Sequence, residues 1–262
     1  MAKSAPITAD FLDSEQYTHA AIEAYESVYG RDYVSPGGAA MARELISNLA
    51  LQPDARVLDV GCGLGGSAFL MAREFGLRVD GIDLSHNMLA MARNRRDAYG
   101  LRGRVSFEHG DCLTLRRPGR YDAVYSRDVF LHIRDKAKLF EVLLDSLRPG
   151  GQLLFTDYCC GPGPWREEFS EYVQSRGYAL HMLPEYVAFL ETAGFVAVEA
   201  RDWSHRFAEC LQVELGRIRA SVVEDDTRAK LESGWLAKLA RVAAGDHRWG
   251  MITASRSTQA GG

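Results

Sequence analysis

Val57-Leu58-Asp59-Val60-Gly61-Cys62-Gly63-Leu64-Gly65-Gly66 is a short apolar run that stops in a glycine-rich turn, and the helically spaced stretch Ser67 to Phe75 follows it. Glycines at such a turn let the backbone adopt positive φ or approach a ligand closely. Gly61, Gly63 and Gly66 satisfy G-x-G-x-x-G, the spacing of dinucleotide sites. That pattern alone reads as an oxidoreductase with a nicotinamide cofactor.

The surroundings extend the pattern. Strands are expected at Arg56–Val60, Arg78–Ile82, Val105–His109, Tyr121–Ser126 and Gln152–Asp157. Helices are expected at His86–Ala98 and Lys136–Leu147, and Arg148-Pro149-Gly150-Gly151 is a strong turn. Strands alternating with helices imply βαβ units, hence a parallel sheet covered on both faces. Upstream, Ala20–Tyr29 and Ala39–Leu51 have helical spacing around the loop Ser35-Pro36-Gly37-Gly38. Downstream the alternation breaks. Gly161-Pro162-Gly163-Pro164 opens a helical insert, Trp165–Arg176, followed by a helix Leu183–Ala193 and a sixth strand Phe195–Ala200. Phe207–Leu239 reads as helix and Trp249–Ala254 as a final strand.

The 262 residues carry 31 basic and 35 acidic side chains, a net charge of −4, and 47% are hydrophobic. That length bounds the chain to one large domain or two small ones. A mildly acidic chain without a basic run is a poor nucleic-acid binder. No apolar stretch is long enough to span a bilayer, and Met1 to Asp13 lacks the layout of a secretion signal. The five cysteines, Cys62, Cys112, Cys159, Cys160 and Cys210, include no C-x-x-C pair and read as reduced thiols of a cytoplasmic protein. Adjacent Cys159 and Cys160 would face opposite sides of a strand. No metal-ligand spacing is present, and no metal is expected.

Three acids qualify the glycine turn. Asp59 lies just ahead of Gly61. Asp83 ends the second strand, about 20 residues past the turn, where an acid takes the ribose hydroxyls of an adenosine ligand. Asp111, in His109-Gly110-Asp111-Cys112, follows the third strand, where a carboxylate can accept from an adenine amino group. With these acids the core resembles the class I S-adenosylmethionine-dependent methyltransferases. The resemblance implies an α/β fold, a Rossmann-like and mostly parallel seven-stranded sheet with a reversed last hairpin and helices on both faces. It also implies S-adenosylmethionine, leaving as S-adenosylhomocysteine, rather than a nicotinamide.

Motifs outside that core narrow the resemblance. Glu15-Gln16-Tyr17, Tyr25, Tyr33-Val34-Ser35, Tyr125-Ser126-Arg127-Asp128, Leu131-His132-Ile133, Thr156-Asp157-Tyr158-Cys159, Tyr172, Gln174-Ser175-Arg176-Gly177-Tyr178, Gly234-Trp235-Leu236-Ala237-Lys238 and Trp249-Gly250 are similar to the phosphoethanolamine N-methyltransferases of plants and malaria-type parasites. The similarity runs from Phe11 to Arg256. It implies that Tyr17 and His132 close the site and take a proton from the amine, and that Asp128 orients the nitrogen. It implies a phosphate held among Tyr158, Tyr172, Arg176, Tyr178 and Lys238, with Tyr25 also touching substrate. Val34, Ser35, Asp59, Gly61, Gly63, Asp83, Leu84, Asp111, Cys112 and Arg127 are then the cofactor residues.

The chemistry is coherent. An alkyl ammonium with a pKa of ~10.4 must lose a proton before its lone pair can attack a methyl group. A histidine is suited to take it, its ordinary pKa lying near neutrality. Tyr172 and Arg176, four apart, share one helix face, and Tyr178 joins them if the helix ends at Gly177. The stretch from Leu215 to Gly234 is several residues shorter than in those relatives, so Lys238 depends on how that segment folds.

A single catalytic domain is expected, with N-terminal closing helices at 10–51, a cofactor core at 52–160, a helical lid insert at 161–182, the rest of the core at 183–256 and a disordered tail at 257–262. The plant enzymes fuse two methyltransferase domains. One domain, as in the parasite type, is expected to carry all three methylations, as a monomer without stable membrane attachment. Two alternatives remain open: an N-methyltransferase of another small amine, such as 2-aminoethylphosphonate, sarcosine or glycine, and a cofactor-binding module without turnover.

Overall fold

Alternate residues of the central strands serve two different cores. The structure is a computed structural model and describes residues 8–221 and 224–258. In β1 (Arg56–Val60), Val57 packs into one buried cluster and Leu58 and Val60 into another. The same split separates Ala123 from Val124 in β4 (Tyr121–Arg127) and Met251 from Ile252 in β7 (His247–Ser255). A period of two with both sides apolar is what a sheet covered on both faces demands. Each such side chain contributes about 1.5–3 kcal/mol of transfer free energy.

The sheet has seven strands in the order β3-β2-β1-β4-β5-β7-β6. β2 is Arg78–Asp83, β3 Val105–His109, β5 Leu147–Cys160 and β6 Val196–Asp202. The first five run parallel, and β7 lies antiparallel to both β5 and β6. That is the expected sheet with its reversed last hairpin.

The chain opens with α1 (Ala9–Phe11) and a π turn (Leu12–Gln16), then α2 (His19–Tyr29) and α3 (Gly38–Ser47). The core adds α4 (Gly66–Glu74), α5 (His86–Ala98) and α6 (Lys136–Ser146). After β5 come α7 (Glu167–Arg176), α8 (Leu183–Ala193), α9 (Ser204–Ala220) and α10 (Asp225–Ala244). Residues of α2, α3, α4, α9 and α10 join one cluster, and those of α6 and α8 join the other.

Three expectations need correction. The helix expected over Phe207–Leu239 is two helices, α9 and α10, because Ser221 turns extended (φ −72°, ψ 153°) and its Oγ donates back to the Ile218 carbonyl. The helix expected to reach Leu51 ends at Ser47, with Ala50 left-handed at φ 45°. β5 runs past Asp157 to Cys160 because β7 pairs with it from Gln152 onward, Cys160 facing His247. It begins at Leu147, so that the expected turn Arg148–Gly151 lies within the strand, where its pairing with β4 shifts register. The 3₁₀ turns Cys112–Thr114 and Phe130–His132 are too short to leave a periodic signal. Of the tail expected to be disordered, 259–262 lies outside the described residues. Among the described residues no helix is long and apolar enough to cross a membrane, and no group of three or more His, Cys, Asp or Glu side chains could hold a metal ion.

Candidate active site

The strand order reverses between β1 and β4, and in open α/β sheets a crevice opens outside the strand ends at that point. Here a cavity of about 400 Å³ lies there. Its floor is Val60-Gly61 after β1, Ile82-Asp83 at β2 and Arg127-Asp128 at β4. Tyr17, Tyr25 and Tyr29 from the N-terminal segments, Tyr172, Arg176 and Tyr178 from the insert, and Lys238 from α10 complete the wall.

The glycine turn shapes one half. Gly61 sits at φ 68°, and a Cβ there would lie 2.3 Å from a Val129 methyl, so no other residue fits without a shift. The Gly63 amide donates to Asp83 Oδ2 at 2.8 Å and the Ser85 amide to Oδ1 at 2.9 Å. Burial first, against these backbone donors, raises the Asp83 pKa. Asp111 accepts from the Leu113 amide at 2.9 Å and holds the turn carrying Cys112. Val34, Ser35, Leu84 and Cys112 line the same half.

Asp59 does not line the large cavity. It is 3% exposed and borders a recess of about 40 Å³ behind the glycine turn, together with Arg127 and Ser35. Its Oδ2 has no partner, and neither has Arg127 Nε, although the Arg127 guanidinium also donates to the Gly38 carbonyl at 3.1 Å and to that of Pro36. An orphaned carboxylate oxygen beside an orphaned guanidinium N–H matches the ammonium and carboxylate of an amino acid. Burial, then the Asp83 charge, pushes the Asp59 pKa from 3.8 to about 7, with Arg127 opposing.

Asp59 therefore has a stability consequence. Its folded pKa lies above the unfolded value, so its contribution is complete below about pH 4 and is lost as pH rises through about 7. Asp59→Asn is expected to leave the melting temperature near pH 4 almost unchanged and to raise stability at pH 8 by about 4 kcal/mol. Thermal scans of the ligand-free protein at the two pH values check this; an equal shift at both would refute the assignment.

In the other half, Tyr172 and Arg176 lie one turn apart on α7, which ends at Gly177 in the left-handed region (φ 66°), as the spacing predicts. The chain then doubles back and sets the Tyr178 ring edge-on to Tyr172, centroids 5.7 Å apart. Tyr158, in β5, meets Tyr178 at 6.5 Å. Lys238 lies in the cavity wall even though its preceding segment is short, its Nζ 4.5 Å from the Trp235 ring centre. Burial, with Arg176 and Arg241 nearby, lowers its pKa to about 8. Arg241, one turn beyond Lys238, stacks on Tyr172 at 3.7 Å while paired to Glu168 at 2.6 Å. The i, i+3 spacing of 238 and 241, which sets both on one face of α10, is its sequence signal.

His132 ends the 3₁₀ turn after β4, its ring 5.2 Å from that of Tyr178 and its Nδ1 buried without a partner. Burial, then the charges of Lys136 and Arg176, lowers its pKa to about 4, below the near-neutral value expected from the residue type. The Lys136 ammonium, 2% exposed, donates to the carbonyls of Phe130 (2.8 Å), Ile133 and Ala179 (3.1 Å), tying the His132 turn to the segment after Tyr178. Tyr17 lines the same cavity, and burial, then Tyr25 and Asp83, raises its pKa, so it stays a phenol. Its segment is pinned to the start of α5. Asp13 accepts from the His86 amide at 3.0 Å and from Ser85 Oγ, and Asn87 Nδ2 donates to the Tyr17 carbonyl at 3.0 Å. Asp128 accepts from Trp249 Nε1 and Thr156 Oγ1. Asp13 and the Lys136 tie to Ala179 have no sequence signal, and Thr156 and Trp249 stand in motifs without a role, because these contacts join residues distant in sequence.

Sheet order, reversed hairpin and a cavity at the ends of β1, β2 and β4 define a class I methyltransferase fold. A family model for a methyltransferase domain matches residues 57–151. The chain is 42% identical to phosphoethanolamine N-methyltransferase 1 of Zea mays, with 94% of this chain matched to 50% of that protein. It is 33% identical to the phosphoethanolamine N-methyltransferase of Plasmodium falciparum, matching 94% of this chain to 96% of that one. A solved structure of phosphoethanolamine N-methyltransferase 2 of Haemonchus contortus, in complex with phosphomonomethylethanolamine and S-adenosylhomocysteine, superposes with a TM-score of 0.92 at 36% identity, covering 95% of this chain and 60% of that one. The chain belongs to the phosphoethanolamine N-methyltransferase family. It spans about half the length of the plant relatives that it matches.

Proposed function

We propose that this protein transfers methyl groups from S-adenosylmethionine to the nitrogen of phosphoethanolamine, stepwise toward phosphocholine. One observation carries the reading. A single cavity brings Asp128 and His132 together with the Tyr158, Tyr172, Arg176, Tyr178 and Lys238 group, and the His132 ring lies 5.2 Å from that of Tyr178. A small substrate with an amine at one end and an anion at the other, a few bonds apart, matches a carboxylate and an imidazole set next to a cationic, hydroxyl-rich group.

The residues of the glycine-turn half fit the cofactor. Asp59 and Arg127 would hold its amino-acid end, Asp83 its ribose and Asp111 its adenine, with Gly61, Gly63, Val34, Ser35, Leu84 and Cys112 forming the walls. When bound there, it supplies an electrophilic methyl group on a sulfonium.

Arg176 offers a fork of donors to the substrate phosphate, Lys238 a point charge, and the tyrosines neutral hydroxyls. The dianion entering there offsets the positive field on His132 and so raises its basicity. His132, neutral beforehand, accepts the ammonium proton, and Tyr17 closes over it as a hydrogen-bond donor. Asp128 holds the nitrogen in line; orientation of this kind supplies about 7–11 kcal/mol of a barrier. The five free cysteines fit a reducing compartment, and we place the reaction in the cytoplasm.

The purified protein would be incubated with S-adenosylmethionine and ethanolamine, phosphoethanolamine, 2-aminoethylphosphonate, sarcosine or glycine, and products read by mass. One, two and three added methyl groups on phosphoethanolamine are expected. Preferential methylation of the phosphonate, or turnover of sarcosine or glycine alone, would overturn the substrate.

A further inference from the structure

Asp128 is an unusual carboxylate. Its backbone is left-handed at φ 55°, a conformation rare for a residue other than glycine, and its amide donates to the Thr156 carbonyl at 2.8 Å. One oxygen, Oδ1, accepts from Trp249 Nε1 at 2.7 Å and from Thr156 Oγ1 at 3.1 Å. The other, Oδ2, is buried and has no partner, in a residue that lines the cavity.

The donors sit on rigid elements. Thr156 lies in β5, paired with Arg127 of β4 on one side and Met251 of β7 on the other. Trp249 lies in β7 and is fully buried. Its amide donates to Ser204 Oγ at 3.0 Å, and its carbonyl accepts from the Trp203 amide at 2.7 Å. Its ring packs on Phe207, 5.6 Å between centroids, and on Trp203 at 6.1 Å. The indole has nowhere to swing, so the direction of its N–H is set by the sheet.

We propose that Trp249 and Thr156 are positioning residues that occupy one oxygen of Asp128 and leave the other as a single acceptor for the substrate nitrogen. This rests on the reading of the cavity as a phosphoethanolamine site. A freely rotating carboxylate could take an ammonium in a fork of two oxygens and tilt it. With Oδ1 tied from behind, the ammonium meets one acceptor from one direction in each round. In the last round, where the neutral amine has no N–H left, that contact orients the nitrogen only until its proton leaves. The reversed strand β7 thus contributes to the reaction from behind the site, without touching substrate.

The test compares wild type, Trp249→Phe, Thr156→Val and Thr156→Ser in steady-state methylation of phosphoethanolamine, with S-adenosylhomocysteine affinity measured by calorimetry. Trp249→Phe keeps the ring packing and removes the N–H. A lost hydrogen bond to a charged group corresponds to a fall in kcat of about 10- to 30-fold. The substrate KM is expected to change less than about threefold, because the phosphate end supplies most of the binding. Thr156→Val should act in the same direction and Thr156→Ser restore wild-type kcat, a rescue that a purely structural role for the methyl group would not give. If Trp249→Phe fails to fold, the Thr156 pair decides alone. Wild-type kcat in Trp249→Phe or in Thr156→Val overturns the inference while leaving the substrate reading intact. No turnover of phosphoethanolamine by the wild type overturns both.

Discussion

Replacing His132 by alanine is expected to lower kcat on phosphoethanolamine by about 10²–10⁴-fold at pH 7.5, the range typical of general-base loss. Its pH dependence should be diagnostic. Burial and the charges of Lys136 and Arg176 hold the free ring's pKa at about 4, so it is already neutral well below pH 6. An acid-side loss of kcat/KM near pH ~6 would then follow the second ionisation of the substrate phosphate and should persist in the variant. Toward alkaline pH the deficit should narrow, because an amine of pKa ~10.4 increasingly arrives without its proton. Rate–pH profiles of the two proteins check this. A wild-type rate in His132→Ala at pH 7.5, or a deficit constant to pH 9.5, would remove His132 from the proton-transfer step.

Arg176→Ala is expected to raise the KM for phosphoethanolamine by about 30- to 100-fold, the equivalent of a charged hydrogen bond to phosphate. The affinity for S-adenosylhomocysteine should not change, since Arg176 belongs to the group proposed for the phosphate and not to the residues proposed for the cofactor. Arg176→Lys should recover part of the loss, as it restores a charge without the planar fork. The α7 register makes the residue sensitive to its neighbours. Tyr172 is one turn earlier, Gly177 ends the helix, and Tyr178 folds back on Tyr172. A KM unchanged in Arg176→Ala would mean that the phosphate binds elsewhere.

Much of this site was legible in the chain because its parts are local. Glycines at fixed spacing after an apolar strand, an acid at the end of the next strand and another after the third are short-range signals, each set by backbone conformation at one turn. Elements such as His86–Ala98, Val105–His109 and Leu183–Ala193 match their spacing to the residue for the same reason. The boundaries that moved were set by partners far away. β5 extends to Cys160 because β7 pairs with it, and the long C-terminal helix is broken at Ser221 so that α10 packs back on α9.

The residue chemistry of the cavity was available from sequence motifs, but its electrostatics were not. Asp59 and His132 depart from their ordinary pKa values because of burial and because Asp83, Lys136 and Arg176 converge on them from other elements. The division of labour around Asp128 also had no sequence signal, since Trp249 is 121 positions away. The sequence alone determined the sheet class and the glycine turn, which depend on local conformation and residue type. Its motifs, through the family resemblance, supplied many of the cavity residues but not such lining residues as Tyr29, Met88 or Arg134. Tertiary structure alone decided that Asp59 lies behind the cavity, that Lys238 reaches into it, and which oxygen of Asp128 is free. Those properties belong to distances between strands and helices, and no distance of that kind is written in a linear order of residues.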